Sequence, residues 1–288
     1  MFETIERKSE VIFGDEVVAL QEGADGVDVD FKRRRRRRFD LVIGADGLHS
    51  SIRRLAFGPQ ERPLGYVAAV FEARGYRPRD EDVYILYSAP GRMVARFALH
   101  DDRTLFLFVF AEGIETATET LNLPAQKAIL RERYRSGRWE CAKILSELDG
   151  AQDVYFDRVS QIRMDKWSQG RVALVGDAAF CVSLTAGQGS ALAMTAAYVL
   201  AGELAASGHG RAFDRYNALL RAFIAQKQWG AERFAGAFAP RTRLGLVARN
   251  QIVKVCNLPG LARLAFGRDI IDTLPLPAYD FDKSVGRN

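Results

Sequence analysis

The sequence predicts an α/β protein: an α/β domain interrupted by an inserted antiparallel sheet and followed by C-terminal helices. Three observations predict it. Two short apolar runs, "LVIGADG" at 41–47 and "VALVGDA" at 172–178, each end in glycine and aspartate, the way buried strands of an α/β sheet run into their loops. Between them the chain holds several short runs of alternating apolar and polar residues, the pattern of antiparallel strands. After the second run, "ALAMTAAYVLAGELAA" carries Ala, Leu and Met on nearly every face. A helix of that kind is expected to be buried all round.

The first segment reads as short strands, Glu10 to Phe13, Glu16 to Gln21 and Val27 to Phe31, with "GADG" as the turn between the last two. "FKRRRRRRFD" follows, and Arg33 to Arg38 alone outweigh the chain's net charge of +5. No interleaved aromatic residues or spread basic face accompany the run, so a solvated hairpin loop is favoured over a nucleic-acid patch. Leu41 to Ile43 then forms a strand ending at Gly44, too apolar for an exposed edge and suited to a parallel or central position.

From Pro59 to Trp167 strands are expected at Tyr66 to Glu72, Val83 to Tyr87, Met93 to Leu99 and Thr104 to Phe110. A helical stretch from Pro124 to Leu148 and a strand from Val154 to Met164 complete this insertion. "TLFLFVF" reads as core rather than pocket wall. The α/β pattern returns at Val172 to Val175 and continues through a helix from Gln188 to Ala206. A further helix, Arg211 to Phe238, leads to an apolar and basic tail that fits an amphipathic helix interrupted by Pro259. Such a tail packs on the protein's own body or, less favoured, on a membrane surface or a second copy. The expected division is 1–58, 59–167, 168–210 and 211–288.

Composition narrows the function. With 48% hydrophobic and 27% charged residues in 288, the chain is globular. No unbroken apolar run reaches the roughly 18 residues of a membrane span, and "MFETIERKSE" lacks a signal peptide's apolar stretch. A cytoplasmic protein without a membrane span is the expectation. Cys141, Cys181 and Cys256 are isolated and read as free thiols; His49, His100 and His209 are isolated too, which leaves no metal-ligand spacing. There is no P-loop, no G-x-S-x-G elbow and no H-E-x-x-H.

The two glycine–aspartate turns remain as the carriers of chemistry. The strand at 172–175 delivers Gly176 and Asp177 to the carboxyl end of the sheet, where α/β folds bind ligands. Gly176 admits a ligand closely, and the Asp177 carboxylate suits the vicinal hydroxyls of a ribose or ribityl chain. In "TAGQGSA", Gly187, Gln188 and Gly189 precede the apolar helix, whose N-terminal N–H groups favour an anion. In the first motif, Asp46 and Gly47 form a tight turn, Ser50 is a plausible N-cap, and Arg53 follows in the helix. Taken alone, Asp46 is as well explained by a role in stabilising its own turn.

Together, "GADGLHSSIRR" and "RVALVGDAAF" resemble the Asp-Gly and Gly-Asp motifs of the flavoprotein monooxygenases of the aromatic-hydroxylase type. The resemblance runs from about Val11 to about Leu220 and is specific at these two places. It implies an FAD/NAD(P)-binding-like domain, incomplete here, with the inserted sheet as substrate domain. It implies FAD as cofactor, NAD(P)H as cosubstrate, and transfer of one oxygen atom from O₂, through a flavin hydroperoxide, to an aromatic, polyketide-like or other electron-rich small molecule. Asp46, Gly47 and Arg53 map to the first motif, Gly176 and Asp177 to the second, and Gly187, Gln188 and Gly189 to the loop beside the flavin ring. The resemblance assigns no catalytic side chain, and the sheet at Tyr66 to Phe110 would floor the substrate pocket.

Two departures stand out. The family commonly has a proline before these glycines, where this chain has "FCVSLTAGQG", so a less rigid loop is expected. No GxGxxG follows any strand, and the chain reads as starting part-way into the family pattern, at the strands before the Asp-Gly motif. An N-terminally truncated monooxygenase is therefore expected, with a degenerate, non-catalytic binding or interaction module as the alternative.

Overall fold

The structure, a computed structural model, describes residues 8–112, 121–256 and 274–281. Three antiparallel strands open it: β1 (Val17–Gly23), β2 (Gly26–Phe31) and β3 (Arg37–Phe39), in that spatial order. Alternation explains β2. Val27 and Val29 are buried in the core, while Asp28 and Asp30 face out. Arg38 stands opposite Asp28 in register and holds it with Nε and Nη2, both at 2.8 Å; Arg36 grips Asp30 in the same forked way. Arg37 does the same to Glu10, and Lys32 pairs with Glu16. The expected hairpin loop is thus replaced in part by a strand laced to acidic neighbours. The expected strand at Glu10 to Phe13 is not formed; those residues run alongside as irregular chain.

β4 (Val42–Gly44) and β11 (Val172–Leu174) form a parallel pair, extended by the antiparallel two-residue β10 (Ser168–Gln169). Five strands form the inserted sheet, in the order β6-β7-β8-β5-β9: β5 (Glu61–Arg74), β6 (Ile85–Ala89), β7 (Arg92–Ala98), β8 (Arg103–Ala111) and β9 (Tyr155–Ile162). Both faces of β5 are covered, which explains its unbroken apolar run "YVAAVF". Val67, Ala69 and Phe71 face one core with Phe106, Phe108 and Phe110, while Tyr66 and Ala68 face a second with Met93, Ala95 and Val109. The phenylalanines of "TLFLFVF" are core, as the sequence predicts.

The helical stretch expected from Pro124 to Leu148 is two helices, α2 (Leu123–Tyr134) and α3 (Cys141–Gly150). Asn122 caps the first by accepting from the Ala125 N–H at 3.0 Å. The break falls at "SGRW", where Gly137 N–H turns back to the Tyr134 carbonyl and Trp139 takes a φ of 59°.

α1 (Ser51–Phe57) follows β4, and the four-residue α4 (Asp177–Phe180) follows β11. A 3₁₀ turn at Leu184–Ala186 leads into α5 (Gly189–Ala206), then α6 (His209–Phe238) and α7 (Arg243–Cys256). The main core joins β2, β4, β11, α1, α5 and α6 through Val29, Ile52, Leu174, Val199 and Tyr216, among others. Here α5 corrects the sequence expectation. Only one side is buried, through Leu192, Ala196, Val199 and Leu200; Met194, Ala197, Tyr198 and Ala201 are exposed. It is also long and apolar enough to cross a membrane, although no segment of that kind was expected. Its buried Glu203 is bound by Arg215 of α6 and Tyr279. The tail beyond Cys256, with Pro259, lies outside the described residues up to Leu274, which packs on the main core.

Candidate cofactor site

The register of the parallel pair places the two motifs side by side. Leu174 lies opposite Gly44, and the Val175 N–H donates to the Gly44 carbonyl at 2.9 Å. Asp46 and Asp177 therefore leave adjacent strands at the same, carboxyl end of the sheet, and both are exposed there. Gly44 makes the close packing beneath them feasible. A Cβ at this position would fall 2.7 Å from Leu174 Cδ2 and 2.9 Å from two atoms of Ile52.

In the first motif, Gly47 has a φ of +81°, the left-handed region that glycine enters without strain, and the Ser50 N–H closes the turn on its carbonyl. Ser50 caps α1 by accepting from Arg53 N–H at 2.9 Å, as its sequence position predicts. Asp46 accepts from the Ser50 hydroxyl at 2.5 Å and from the Ile52 N–H at 3.1 Å. The turn-stabilising role of Asp46 is thus real, and its carboxylate retains further acceptor positions.

Arg53 is only 2% exposed. Its Nη1 donates to the Ala178 carbonyl at 2.9 Å and its Nη2 to the Leu48 carbonyl at 2.5 Å. It fastens one motif to the other instead of reaching out of the sheet end. Burial lowers its pKa from the ordinary guanidinium value, against the opposing pull of Glu61 and Asp46.

In the second motif, Gly176 takes a φ of 64° and caps α4 with its backbone. A Cβ there would stand 3.0 Å from the Ala193 Cβ of α5. The Asp177 carboxylate lies next to the start of α5: a Cβ on Gly189 would be 3.8 Å from Asp177 Oδ1. Gly187 also has a φ of 64°, and Gln188 occupies the N-cap of α5 without a capping side-chain bond. Asp177, Gly187, Gln188 and Gly189 are therefore gathered around one helix N-terminus, whose leading N–H groups carry partial positive charge. Behind Asp177 the Cys181 thiol is buried, and burial together with the Asp177 charge pushes its pKa up to about 12. It is an inert thiol at neutral pH.

The arrangement offers carboxylates for hydroxyl groups and N–H donors for an anionic ring edge, with glycine backbone between them. That is a fit for a flavin's ribityl chain and ring. Residues 3–226 match the sequence profile of the FAD binding domain family. The chain belongs to the FAD-binding domain family.

This FAD-binding domain chain is 41% identical over 234 residues to an uncharacterised protein of Mycobacterium tuberculosis, covering 76% of this chain and 60% of that protein. It is 35% identical over 231 residues to a flavin-dependent monooxygenase of Legionella longbeachae, covering 77% and 59%. Among solved structures, HpxO of Klebsiella pneumoniae, complexed with FAD and uric acid, superposes with a TM-score of 0.74 at 27% identity over 88% of this chain and 65% of that one. The chain thus spans about 60% of the length of the two curated relatives.

Two site features escaped the sequence. His49, which reads as an isolated surface residue, bonds Asp157 of β9 at 2.7 Å and lies 3.5 Å from Glu61 of β5, so it ties the Asp-Gly turn to the inserted sheet. Its spacing gives no signal, because both partners come from distant strands. The second is the clasp role of Arg53; an arginine three residues after an N-cap serine is too common a pattern to announce burial.

Proposed function

We propose that this FAD-binding domain chain acts in an FAD-dependent, NAD(P)H-using monooxygenase that hydroxylates an aromatic or other electron-rich small molecule. One observation carries the reading: the parallel pairing of β4 and β11 sets Asp46 and Asp177 together at one sheet end, beside the glycine turn that opens α5. Asp177 would accept hydrogen bonds from ribityl hydroxyls, and Asp46 would do so with the acceptor positions its turn leaves over. The N–H groups at the start of α5 would face the pyrimidine edge of the ring and favour its anionic, reduced form. When bound, FAD supplies the electron transfer and oxygen chemistry that side chains lack. Arg53 and His49 act indirectly, as fasteners of the turns.

On the same reading, 1–58 and 168–210 hold the flavin, 59–167 present the substrate-facing sheet, and 211–288 form a C-terminal segment whose helices α6 and α7 support them. The uric acid of the HpxO complex and the monooxygenase name of the Legionella relative support a small, electron-rich substrate.

The test is a titration of the purified chain with FAD, read by flavin fluorescence and absorbance, with Asp177→Ala beside it. Saturable micromolar binding that the substitution weakens by roughly one to two powers of ten is expected, followed by NAD(P)H oxidation stimulated by aromatic compounds. No binding at hundreds of micromolar from a folded sample would sink the flavin reading. Binding without NAD(P)H oxidation would overturn the monooxygenase reading and leave the flavin reading standing.

A further inference from the structure

The loop from Phe180 to Ser183 joins the Gly-Asp helix to the glycine turn and has no proline to stiffen it. It is nevertheless buried throughout, and Ser183 takes a φ of 90° there. Buried irregular backbone must find partners for its carbonyl groups, and two glutamines supply them. Gln228 of α6, 7% exposed, points its amide nitrogen at three carbonyls: Ile162 at 2.6 Å, Phe180 at 3.3 Å and Cys181 at 3.4 Å. Gln161 of β9, fully buried, donates to the Val182 carbonyl at 3.1 Å and to the Gln228 backbone carbonyl at 2.8 Å. Its own carbonyl accepts from Arg163 Nε at 2.9 Å, and Arg163 is held by Glu232 of α6 at 2.7 Å. The Ile162 N–H completes the junction by donating to the Cys181 carbonyl at 3.1 Å.

Three consecutive loop carbonyls, at 180, 181 and 182, are thus each met by a glutamine amide. An amide serves this purpose better than a charged group: it donates without bringing a charge into the core, so no desolvation penalty for an ion arises. The cost of leaving such carbonyls unpaired is what makes the arrangement rigid.

We propose that Gln161 and Gln228 are positioning residues that hold the 180–183 loop and thereby set where the Gly187–Gly189 turn stands. They do the work that a proline would do in the chain itself, from the neighbouring strand and helix. What the turn is aimed at, the flavin ring, rests on the function proposed above.

The experiment is hydrogen exchange by mass spectrometry on the full chain without flavin. It compares wild type, Gln228→Met, Gln161→Met and, as a control for general destabilisation, Leu148→Ala in the core of the inserted sheet. The peptides to follow contain the Ile162, Ala186 and Gly187 amides, bonded to Cys181, Ser183 and Leu184 carbonyls respectively. The glutamine variants are expected to exchange there roughly tenfold faster or more, since each loses at least one buried hydrogen bond. Peptides of β7 and β8 should be unchanged, and Leu148→Ala should show the reverse pattern. Wild-type exchange at the three amides in the glutamine variants overturns the proposal, as does an increase spread evenly over the chain. Gln161→Met removes the bonds to Val182 and to the Gln228 backbone from the strand side, so it gives the answer if Gln228→Met fails to fold. FAD is then added: weaker quenching of flavin fluorescence in the glutamine variants than in Leu148→Ala is expected. Failure of wild type to take up FAD would overturn the flavin reading alone, because the exchange result stands without it.

Discussion

Arg53 reaches the Ala178 carbonyl at 2.9 Å across 125 positions of sequence, and with its other nitrogen it holds Leu48 in the Asp-Gly turn. One guanidinium therefore sets the spacing of the two turns that carry the site. Arg53→Met leaves both carbonyls without that donor in a buried place. A loss of about 2–4 kcal/mol in urea unfolding is expected, with FAD uptake weakened even where the variant still folds. Arg53→Lys should not rescue it, because a single ammonium lacks the fork that spans both carbonyls.

Gly44 and Gly47 lie three residues apart and should respond differently to alanine. A Cβ at Gly44 meets Leu174 and Ile52 inside van der Waals contact, whereas at Gly47 the space is open and only the positive φ resists. Overpacking at Gly44 is expected to cost about 1–3 kcal/mol or more and to lower the soluble yield. Gly47→Ala should cost about 1–2 kcal/mol through its backbone alone. Chemical denaturation of the two variants side by side checks the order.

Asp177→Ala should separate binding from folding. The side chain is exposed, with the Cys181 thiol as a buried neighbour of its carboxylate, so unfolding should change by no more than about 1 kcal/mol. FAD affinity should fall by roughly one to two powers of ten, the worth of one or two charge-assisted hydrogen bonds.

The Cys181 thiol carries a pH signature. Its pKa in the folded chain is pushed up to about 12 from a usual value near 9, so folding favours the protonated form. The stabilisation is complete below pH 9 and is lost as pH rises from there through 12, because the unfolded chain gives up the proton first. Wild type should therefore lose unfolding free energy over that window faster than Cys181→Ala. Equal slopes for the two proteins would rule out this contribution.

The arginine run should act as a masked polycation. Arg36, Arg37 and Arg38 each face a carboxylate, and the pairs lie at the surface, so Asp28→Asn with Asp30→Asn should leave stability nearly unchanged. Two forked guanidiniums are released, and elution from a heparin column should shift to higher salt. An unchanged elution position would show that the ladder does not mask the charge.

How much of this was legible differs from element to element. The strands ending at Gly44 and Leu174 could be read to within a residue, because a run of apolar β-formers against a glycine is a local signal. Their direct parallel pairing could not, since one strand does not name its neighbour. Nor could the one-sided burial of α5: Ala196 is buried, Ala197 and Ala201 are exposed, and side chains so small give the sequence no polar contrast to mark the face. The loop after Phe180 was expected to be loose for want of a proline. Its stiffness comes from Gln161 and Gln228, ordinary polar residues whose role depends on fold contacts far from their place in the chain.

The helix α6 runs 30 residues, about 45 Å at the rise of an α-helix. Its first half lies in the main core through Phe213, Tyr216, Leu220 and Ile224, and its second half reaches the inserted sheet through Gln228 and the ion pairs of Glu232. A rod seated in both places cannot release one without losing part of its grip on the other. Melting should accordingly proceed as a single cooperative event, with the calorimetric and van't Hoff enthalpies agreeing, although the described residues form three separate sheets.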